Sequence, residues 1–216
     1  MKRVVLAILG LLLSTAVLRA DSLVITRPTN GTDSVNWSQL GSPSTSIPNP
    51  FSFITANGVS GNGTYATGNG DYGNHGSVYL QGANWAGNFT HGDYVNWTEN
   101  EGAITLNFAR GYTQIGAQIE EDSWGAFTAQ ICDVNGCFTE DGVSNGKDDG
   151  SAIYIGIFSD SPIDWVTFSL KSASYRRDDF AIDEVTLNTP EPGTLLLMAS
   201  GLATMAAFLR RRFARR

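Results

Sequence analysis

Residues 153–170 read IYIGIFSDSPIDWVTFSL, and this stretch decides the fold class. Isoleucine occupies every second position of its first part, and Val166, Phe168 and Leu170 alternate with polar residues in its second part. Alternation with a period of two gives a β-strand one buried face and one polar face. The stretch therefore predicts two strands, at 152–158 and 165–170, separated by the polar residues around Pro162.

The same pattern extends over the chain between its two ends. Short apolar runs are separated by Gly, Asn, Ser and Thr, and helix signals are almost absent, which is typical of an all-β domain. We predict an all-β, jelly-roll-like β-sandwich over residues 21–188. The stretch 42–72 contains three prolines and many Gly, Asn and Ser residues, so we expect a loop-rich first third with few strands. The other candidate strands are 23–26, 51–55, 94–98, 103–108, 113–119, 126–132 and 180–187.

The N-terminus predicts a secretory signal peptide. Lys2 and Arg3 precede an unbroken apolar run, residues 4–13, and small Ala20 suits the last position before cleavage. The run is shorter than the roughly 20 apolar residues that a stable membrane span requires. We therefore predict a removable signal over residues 1–20.

The C-terminus predicts a single membrane helix. Prolines near position 190 end any preceding strand, because they lack a backbone donor and fix φ. An apolar run follows over about 194–209, and residues 210–216 are rich in arginine. Arginines at this position stop transfer and stay in the cytoplasm. The domain before the helix is then expected outside the inner membrane.

The string TPEPGTLLLMASGLATMAAFLRRR, residues 189–212, resembles the PEP-CTERM sorting signal of Gram-negative bacteria. The sorting motif matches Pro190, Glu191 and Pro192, and the stop-transfer residues are Arg210, Arg211 and Arg212. The resemblance covers 189–216 and implies an exosortase as partner. It also implies an inner-membrane anchor before processing and a cell-surface or extracellular location afterwards. A plain single-span anchor shares every feature except Pro-Glu-Pro, whereas the terminal arginines argue against a GPI signal.

The charge of the middle region excludes one class of partner. Residues 21–190 contain 20 acidic and six basic side chains, a net charge of −14. Nucleic acid phosphates repel such a surface, so nucleic acid is not expected as a partner. Only His75 and His91 occur, both in Gly-rich segments, and no zincin or nucleophile-elbow motif is present. We therefore predict that the protein is not an enzyme.

Cys132 and Cys137 flank a four-residue segment that contains Asn135-Gly136. An Asn-Gly pair favours a hairpin turn, which brings two facing cysteines close together. In an exported chain this pair predicts a disulfide rather than a metal or redox site.

The second half of the chain, residues 103–187, resembles the β-sandwich domains common among PEP-CTERM proteins. Its final strand carries Phe180-Ala181-Ile182-Asp183, and similar endings occur in jelly-roll carbohydrate-binding modules. There an aspartate of the last strand helps to hold a structural Ca²⁺. The resemblance implies Ca²⁺ at Asp183, and Glu120 and Asp122 follow a strand and are candidate further ligands.

Several alternatives to these ligands stay open. A carboxylate on a buried face requires a cation or a paired charge. Other acidic residues can replace the named ligands, and a salt bridge can replace the metal at Asp183. The alternative ligands are Glu121, Asp178 and Asp179, and the candidate salt-bridge partners are Arg176, Arg177 and Arg110.

Trp85, in Gly-Ala-Asn-Trp-Ala-Gly, is the candidate ligand-contact residue because its neighbours predict a loop. Two functions follow for the whole chain. The first is a non-catalytic surface or extracellular-matrix protein sorted by exosortase. The second is a secreted carbohydrate-binding module or glycan-active enzyme, with extracellular polysaccharide as its partner.

Overall fold

The structure is a computed structural model that describes residues 21–29, 31–66 and 75–190. The predicted signal peptide, Glu191, Pro192, the predicted membrane helix and the terminal arginines lie outside these residues. Within them, no helix is long and apolar enough to cross a membrane. The elements are β1 (Asp21–Val24), β2 (Asp33–Val35), a 3-10 turn (Trp37–Leu40), β3 (Ser46–Pro48), β4 (Phe51–Ile54), β5 (Ser60–Tyr65), β6 (His75–Leu80), β7 (Tyr94–Trp97), β8 (Ile104–Glu121), β9 (Gly125–Cys132), β10 (Cys137–Ser144), β11 (Ile153–Ser172), β12 (Phe180–Ile182) and β13 (Val185–Asn188).

Two long bent strands, β8 and β11, connect the whole domain. They pair antiparallel along most of their length, with register shifts between Phe158 and Trp165. At the same level Gly111 contacts Pro162, where an added Cβ would lie 2.4 Å from the proline Cβ. Irregular pairing of this kind lets a strand bend and pass from one sheet to another. The strands predicted at 103–108 and 113–119 are one strand, β8, and those predicted at 152–158 and 165–170 are one strand, β11. The polar residues around Pro162 form a bend and not a turn.

The bend divides the strands into two sheets that face each other. The first sheet contains β4, β5, the first half of β8, the second half of β11, β9 and β10. The second contains β1, the other halves of β11 and β8, and then β13–β2 and β12–β7–β6–β3. One continuous apolar cluster takes residues from both sheets. This confirms the predicted all-β, jelly-roll-like β-sandwich.

The first third contains more strand than its composition predicts. β3, β4 and β5 all lie within the part of 42–72 that the structure describes. In β5, Gly61 and Gly63 lie directly under the rings of Phe53 and Phe51, where an added Cβ would be 2.3 and 2.1 Å from the ring atoms. Only glycine leaves room for the aromatic rings at these two positions, so glycine here does not indicate the end of a strand.

The strand predicted at 180–187 is interrupted at Asp183 and Glu184. Phe180, Ile182, Val185 and Leu187 all belong to the central core, which a regular strand cannot achieve because alternate residues face opposite sides. Unbroken alternation through the strand predicted at 180–187 would place Val185 and Leu187 on the face of Asp183, and they do not lie there. The irregular backbone at 183–184 turns them to the core side.

Asp33 is a buried carboxylate at one edge of this core, only 5% exposed. Its Oδ2 accepts hydrogen bonds from the hydroxyls of Thr55 (2.7 Å) and Tyr112 (2.8 Å). Its Oδ1 accepts from the backbone N–H groups of Ser34 and Asn57, both at 2.9 Å. Burial raises its pKa, but these four donors outweigh burial, and the pKa lies below its usual value.

Candidate functional site

The disulfide predicted from sequence is present. Cys132 and Cys137 are paired residues at the ends of β9 and β10, and their sulfur atoms are bonded. In the turn between them, Asp133 Oδ1 accepts the backbone N–H groups of Asn135 (2.9 Å) and Gly136 (3.2 Å). The Asn-Gly segment therefore forms the turn that its sequence indicates.

Asp183 is buried, 2% exposed, on the face of the second sheet that points away from the central core. Arg27 Nη1 lies 3.3 Å from its Oδ2, and Arg27 Nη2 lies 2.7 Å from Glu184 Oε2. Burial and the nearby charge of Asp93 raise the pKa of Asp183 to about 7, against the lowering effects of the Glu184 backbone N–H and Arg27. The structure thus provides a cationic partner for this carboxylate.

That partner is not one of the three arginines named from sequence. Arg176 donates to Asn100 Oδ1 at 2.8 Å and lies over the ring of Tyr175, and Arg110 lies over the ring of Tyr112. Arg27 reaches Asp183 because β1 pairs with β11 in the same sheet. The two residues are 156 positions apart, so only the strand pairing brings them together.

Glu120 anchors a loop, residues 81–93, to the outer face of the second sheet. Its Oε1 accepts the indole N–H of Trp85 at 2.6 Å and its Oε2 accepts the backbone N–H of Asn88 at 2.8 Å. Gly87 fits closely against it, since an added Cβ would lie 1.4 Å from Oε1. Burial, reinforced by Asp122, raises the pKa of Glu120 to about 7 although both hydrogen bonds lower it.

Trp85 lies inside this loop and is 5% exposed. It belongs to a second small apolar cluster with Phe89 and Ala181, and its ring centroid lies 6.2 Å from Tyr79 and 6.1 Å from Trp97. An aromatic ring that contacts a sugar or another ligand needs an accessible face. Ligand contact through Trp85 stays a prediction, and the burial of the ring counts against it.

Asp179 forms a second carboxylate–indole pair beside Glu120. Its Oδ1 accepts the indole N–H of Trp97 at 2.6 Å, and burial together with Asp122 raises its pKa to about 6. Asp122 itself is exposed.

The described residues contain no group of three or more His, Cys, Asp or Glu side chains that could hold a metal ion. Calcium at Asp183, Glu120 and Asp122 therefore stays a prediction, and Glu120 and Asp183 have protein partners here.

Two aromatic residues that the sequence analysis did not single out are exposed on adjacent loops. Trp124, between β8 and β9, and Tyr175, between β11 and β12, are each 69% exposed. Glu121 joins the loops, because its carboxylate accepts the backbone N–H groups of Ser174 (3.1 Å) and Tyr175 (2.7 Å). We call Trp124 and Tyr175 the aromatic rim.

A cleft of about 620 Å³, with both polar and apolar residues in its lining, lies beside this rim. Gly146 contacts the Trp124 ring, and the neighbouring Asn145 lines the cleft. Asn88 also lines the cleft, and its side-chain amide donates to Asn145 Oδ1 (3.1 Å) and Ser151 Oγ (2.9 Å). Other polar residues of the lining are Thr128, Asp141 and Ser172. The arrangement combines exposed rings with amide and hydroxyl groups that donate and accept hydrogen bonds.

The last strand ends in a clamp. Thr189 donates its backbone N–H to Thr32 Oγ1 at 2.7 Å, and Thr32 donates its own backbone N–H to Leu187 O at 3.0 Å. Pro190, directly after the clamp, is exposed.

Residues 188–212 match the family model described as the PEP-CTERM protein-sorting motif. The chain carries a PEP-CTERM sorting motif. The motif begins on the last residue of β13.

No curated protein sequence matches the chain. Two solved structures are similar to it at low identity. CsCBM6-3 from Clostridium stercorarium, in complex with cellobiose, shares 12% identity with a TM-score of 0.23, covering 78% of this chain and 94% of that chain. The exo-beta-1,3-galactanase Pc1,3Gal43A from Phanerochaete chrysosporium, with galactose, shares 11% identity with a TM-score of 0.24, covering 78% of this chain and 29% of that chain. At these TM-scores neither likeness bears on the function of this chain.

Proposed function

We propose that the protein is a non-catalytic surface or extracellular-matrix protein that an exosortase sorts into the envelope. The observation that carries this proposal is the match of residues 188–212 to the sorting motif, directly at the end of the folded sandwich. The predicted signal peptide at 1–20 supports the same route out of the cell. Until processing, the predicted helix at 194–209 holds the chain in the inner membrane.

The buried carboxylates support a non-catalytic role. Glu120 and Asp179 have raised pKa values, which is common in catalytic acids. Both accept an indole N–H, however, and the loop 81–93 covers Glu120. A catalytic acid must reach its substrate. Glu120 holds the loop on the sheet instead, and Asp179 binds the indole of Trp97 on β7.

The sorting proposal is tested by replacing Pro190, Glu191 and Pro192 with alanine and following the C-terminus by mass spectrometry. We expect the unprocessed tail to accumulate in the membrane fraction. The control is Val134→Ala, an exposed residue of the disulfide turn, which should be processed like the wild type. Processing of the triple variant at the wild-type rate would contradict sorting by an exosortase.

Carbohydrate binding is a second candidate function, favoured by the aromatic rim. Two rings on joined loops supply a stacking surface, and the polar residues of the neighbouring cleft supply the hydrogen-bonding groups that a sugar ring uses. Apolar groups this exposed contribute little to folding, so the positions of Trp124 and Tyr175 suit a binding role. The ligand would be an extracellular polysaccharide.

This second function is tested on a glycan array with the full chain in detergent. We expect Trp124→Ala and Tyr175→Ala each to weaken binding at least about tenfold without changing the melting temperature. Phe158→Ala is the matched control, because Phe158 is an exposed aromatic residue on β11. Wild-type binding by both rim variants, or an array without signal, would contradict carbohydrate binding at the rim.

A further inference from the structure

A pair of aspartates, Asp21 and Asp133, carries a feature found at none of the carboxylates described above. Each has a buried Oδ2 atom without a hydrogen-bond partner in the described part of the chain. Asp133 is only 6% exposed, and its other oxygen is occupied by the turn N–H groups of Asn135 and Gly136. An ionised carboxylate oxygen in this position requires a positive partner.

The fold brings these two residues together at the bend of β11. β9 and β1 both pair with β11 in antiparallel fashion, β9 with its second half and β1 with its first half. Asp133 follows the end of β9, and Asp21 begins β1 opposite Ser159. The two aspartate side chains come within hydrogen-bonding reach of each other, and their negative charges interact.

No cation from the part of the chain that the structure describes reaches this pair. The ion pairs among the described residues join Arg27 to Asp183 and Glu184, His75 to Glu99, and His91 to Asp148, and none includes Asp21 or Asp133. Two further carboxylates, Asp160 and Asp164, lie exposed on the same bend. The local field therefore attracts cations.

The bend of β11 carries a third buried oxygen, two positions after the residue that pairs with Asp21. Ser161 Oγ is also buried without a partner in the described residues, and Ser161 donates its backbone N–H to Ser159 Oγ at 3.1 Å. Ser159 is the residue that pairs with Asp21. Carboxylate and hydroxyl oxygens without nitrogen or sulfur ligands match hard divalent cations, with Ca²⁺ favoured where the ligand shell is irregular.

We infer that Asp21 and Asp133 bind Ca²⁺ through their unpartnered Oδ2 atoms, with Ser161 Oγ as a further ligand. The ion ties the disulfide turn to the first strand and spans the bend at which the two sheets exchange strands. Two carboxylates give a weak site, of the affinity typical of extracellular modules, about 10⁻⁴ to 10⁻³ M. This site is separate from the Asp183 position suggested by sequence.

The test is a Ca²⁺ titration of the melting temperature, using the full chain in detergent after treatment with a chelator. We expect an increase of about 2 to 5 °C at saturating Ca²⁺. Asp133→Asn should abolish the increase. Asp160→Asn changes the net charge equally on the same bend but removes no ligand, so it should keep the increase.

Asp21→Asn is the second variant, because Asp21 is only half-buried and its replacement leaves the turn intact. It should weaken the Ca²⁺ midpoint at least about tenfold. Retention of the full response in both variants, or its loss in Asp183→Asn alone, would overturn the inference. A wild-type chain that gains nothing from Ca²⁺ would also overturn it, since a proton shared by the two carboxylates would then explain their proximity.

Discussion

Asp33 and Asp133 are almost equally buried, at 5% and 6% exposure, yet their pKa values shift in opposite directions. Asp33 has four donors distributed over both oxygens, and its pKa is lowered. Asp133 has donors on one oxygen only. Burial and the charge of Asp21 raise its pKa, against the lowering effect of the two turn N–H groups. Burial alone therefore does not decide the state of a carboxylate.

The comparison separates structural from ligand-binding carboxylates. A carboxylate that is fully supplied with donors belongs to the fold, as Asp33 does and as Glu120 does through Trp85 and Asn88. A carboxylate with a buried oxygen that has no donor lacks a partner that the described residues do not provide. The predictions below test this distinction.

The largest effect is expected at Asp33. Asp33→Ala leaves two hydroxyls and two backbone N–H groups without their acceptor, which should lower the free energy of unfolding by about 3 to 5 kcal/mol. Urea denaturation measures this loss, and exposed Asp164→Ala is the control. A loss below about 1 kcal/mol would show that water satisfies these donors.

The second effect concerns pH. The folded-state pKa values of Glu120 and Asp183 are about 7 and that of Asp179 is about 6, all above their unfolded values. A raised carboxyl pKa means that the folded state binds more protons, so this stability is present at low pH and is lost as pH rises to about 7. Asp33 acts oppositely, and its contribution is lost only in acid.

We therefore expect maximal stability near pH 4 and a loss of several kcal/mol by pH 8, because each unit of pKa shift corresponds to about 1.4 kcal/mol. Urea denaturation across this range measures the profile. Asp179→Asn keeps an acceptor for Trp97 and removes the titration, so it should flatten the profile by on the order of 1 kcal/mol. A profile that rises from pH 5 to pH 8 would contradict the assignment.

Removal of the disulfide should have a smaller effect. Cys132→Ser with Cys137→Ser opens a short loop, and the expected loss is about 2 kcal/mol. The Ca²⁺ response should weaken as well, because the turn holds Asp133. Thermal scans with and without Ca²⁺ measure both effects. An unchanged Ca²⁺ midpoint would show that the turn keeps its shape without the bond.

The smallest effect is expected at Asp133 itself when Ca²⁺ is absent. Asp133→Asn retains an acceptor for the turn and removes one of two repelling charges, so in chelator it should raise the free energy of unfolding by roughly 0.5 to 1 kcal/mol. Asp33→Asn, measured in parallel, should not be stabilising. Destabilisation by Asp133→Asn in chelator would mean that the charge has a protein partner.

The alternation of apolar residues in 153–170 was sufficient to predict the fold class, because burial on one side of a sheet imposes a period of two. It did not predict how the strands connect. The polar residues around Pro162 predict a turn as readily as a bend, and only the pairing of β11 with β8 distinguishes the two. Gly61 and Gly63 were missed as strand residues because their role depends on rings that are distant in sequence.

The candidate site was predictable only where the signal was local. The disulfide lies within one hairpin and was found. Asp183 is buried as expected, but Val185 and Leu187 lie on the opposite, core face. Its partner Arg27 was not found, because the pair depends on long-range strand packing. Trp124 carried a usable signal, since it lies in a Ser-Trp-Gly turn between two predicted strands, a context like that used for Trp85.

The clamp between Thr32 and Thr189 has a consequence for quality control during export. Pro192 lies three positions after Thr189, a reach of at most about 11 Å, so an enzyme acting near Pro-Glu-Pro would work almost against the folded body. A chain whose last strand had not docked would offer this enzyme a long free approach. Cleavage of the tail would then differ between chains whose sandwich has folded and chains whose sandwich has not.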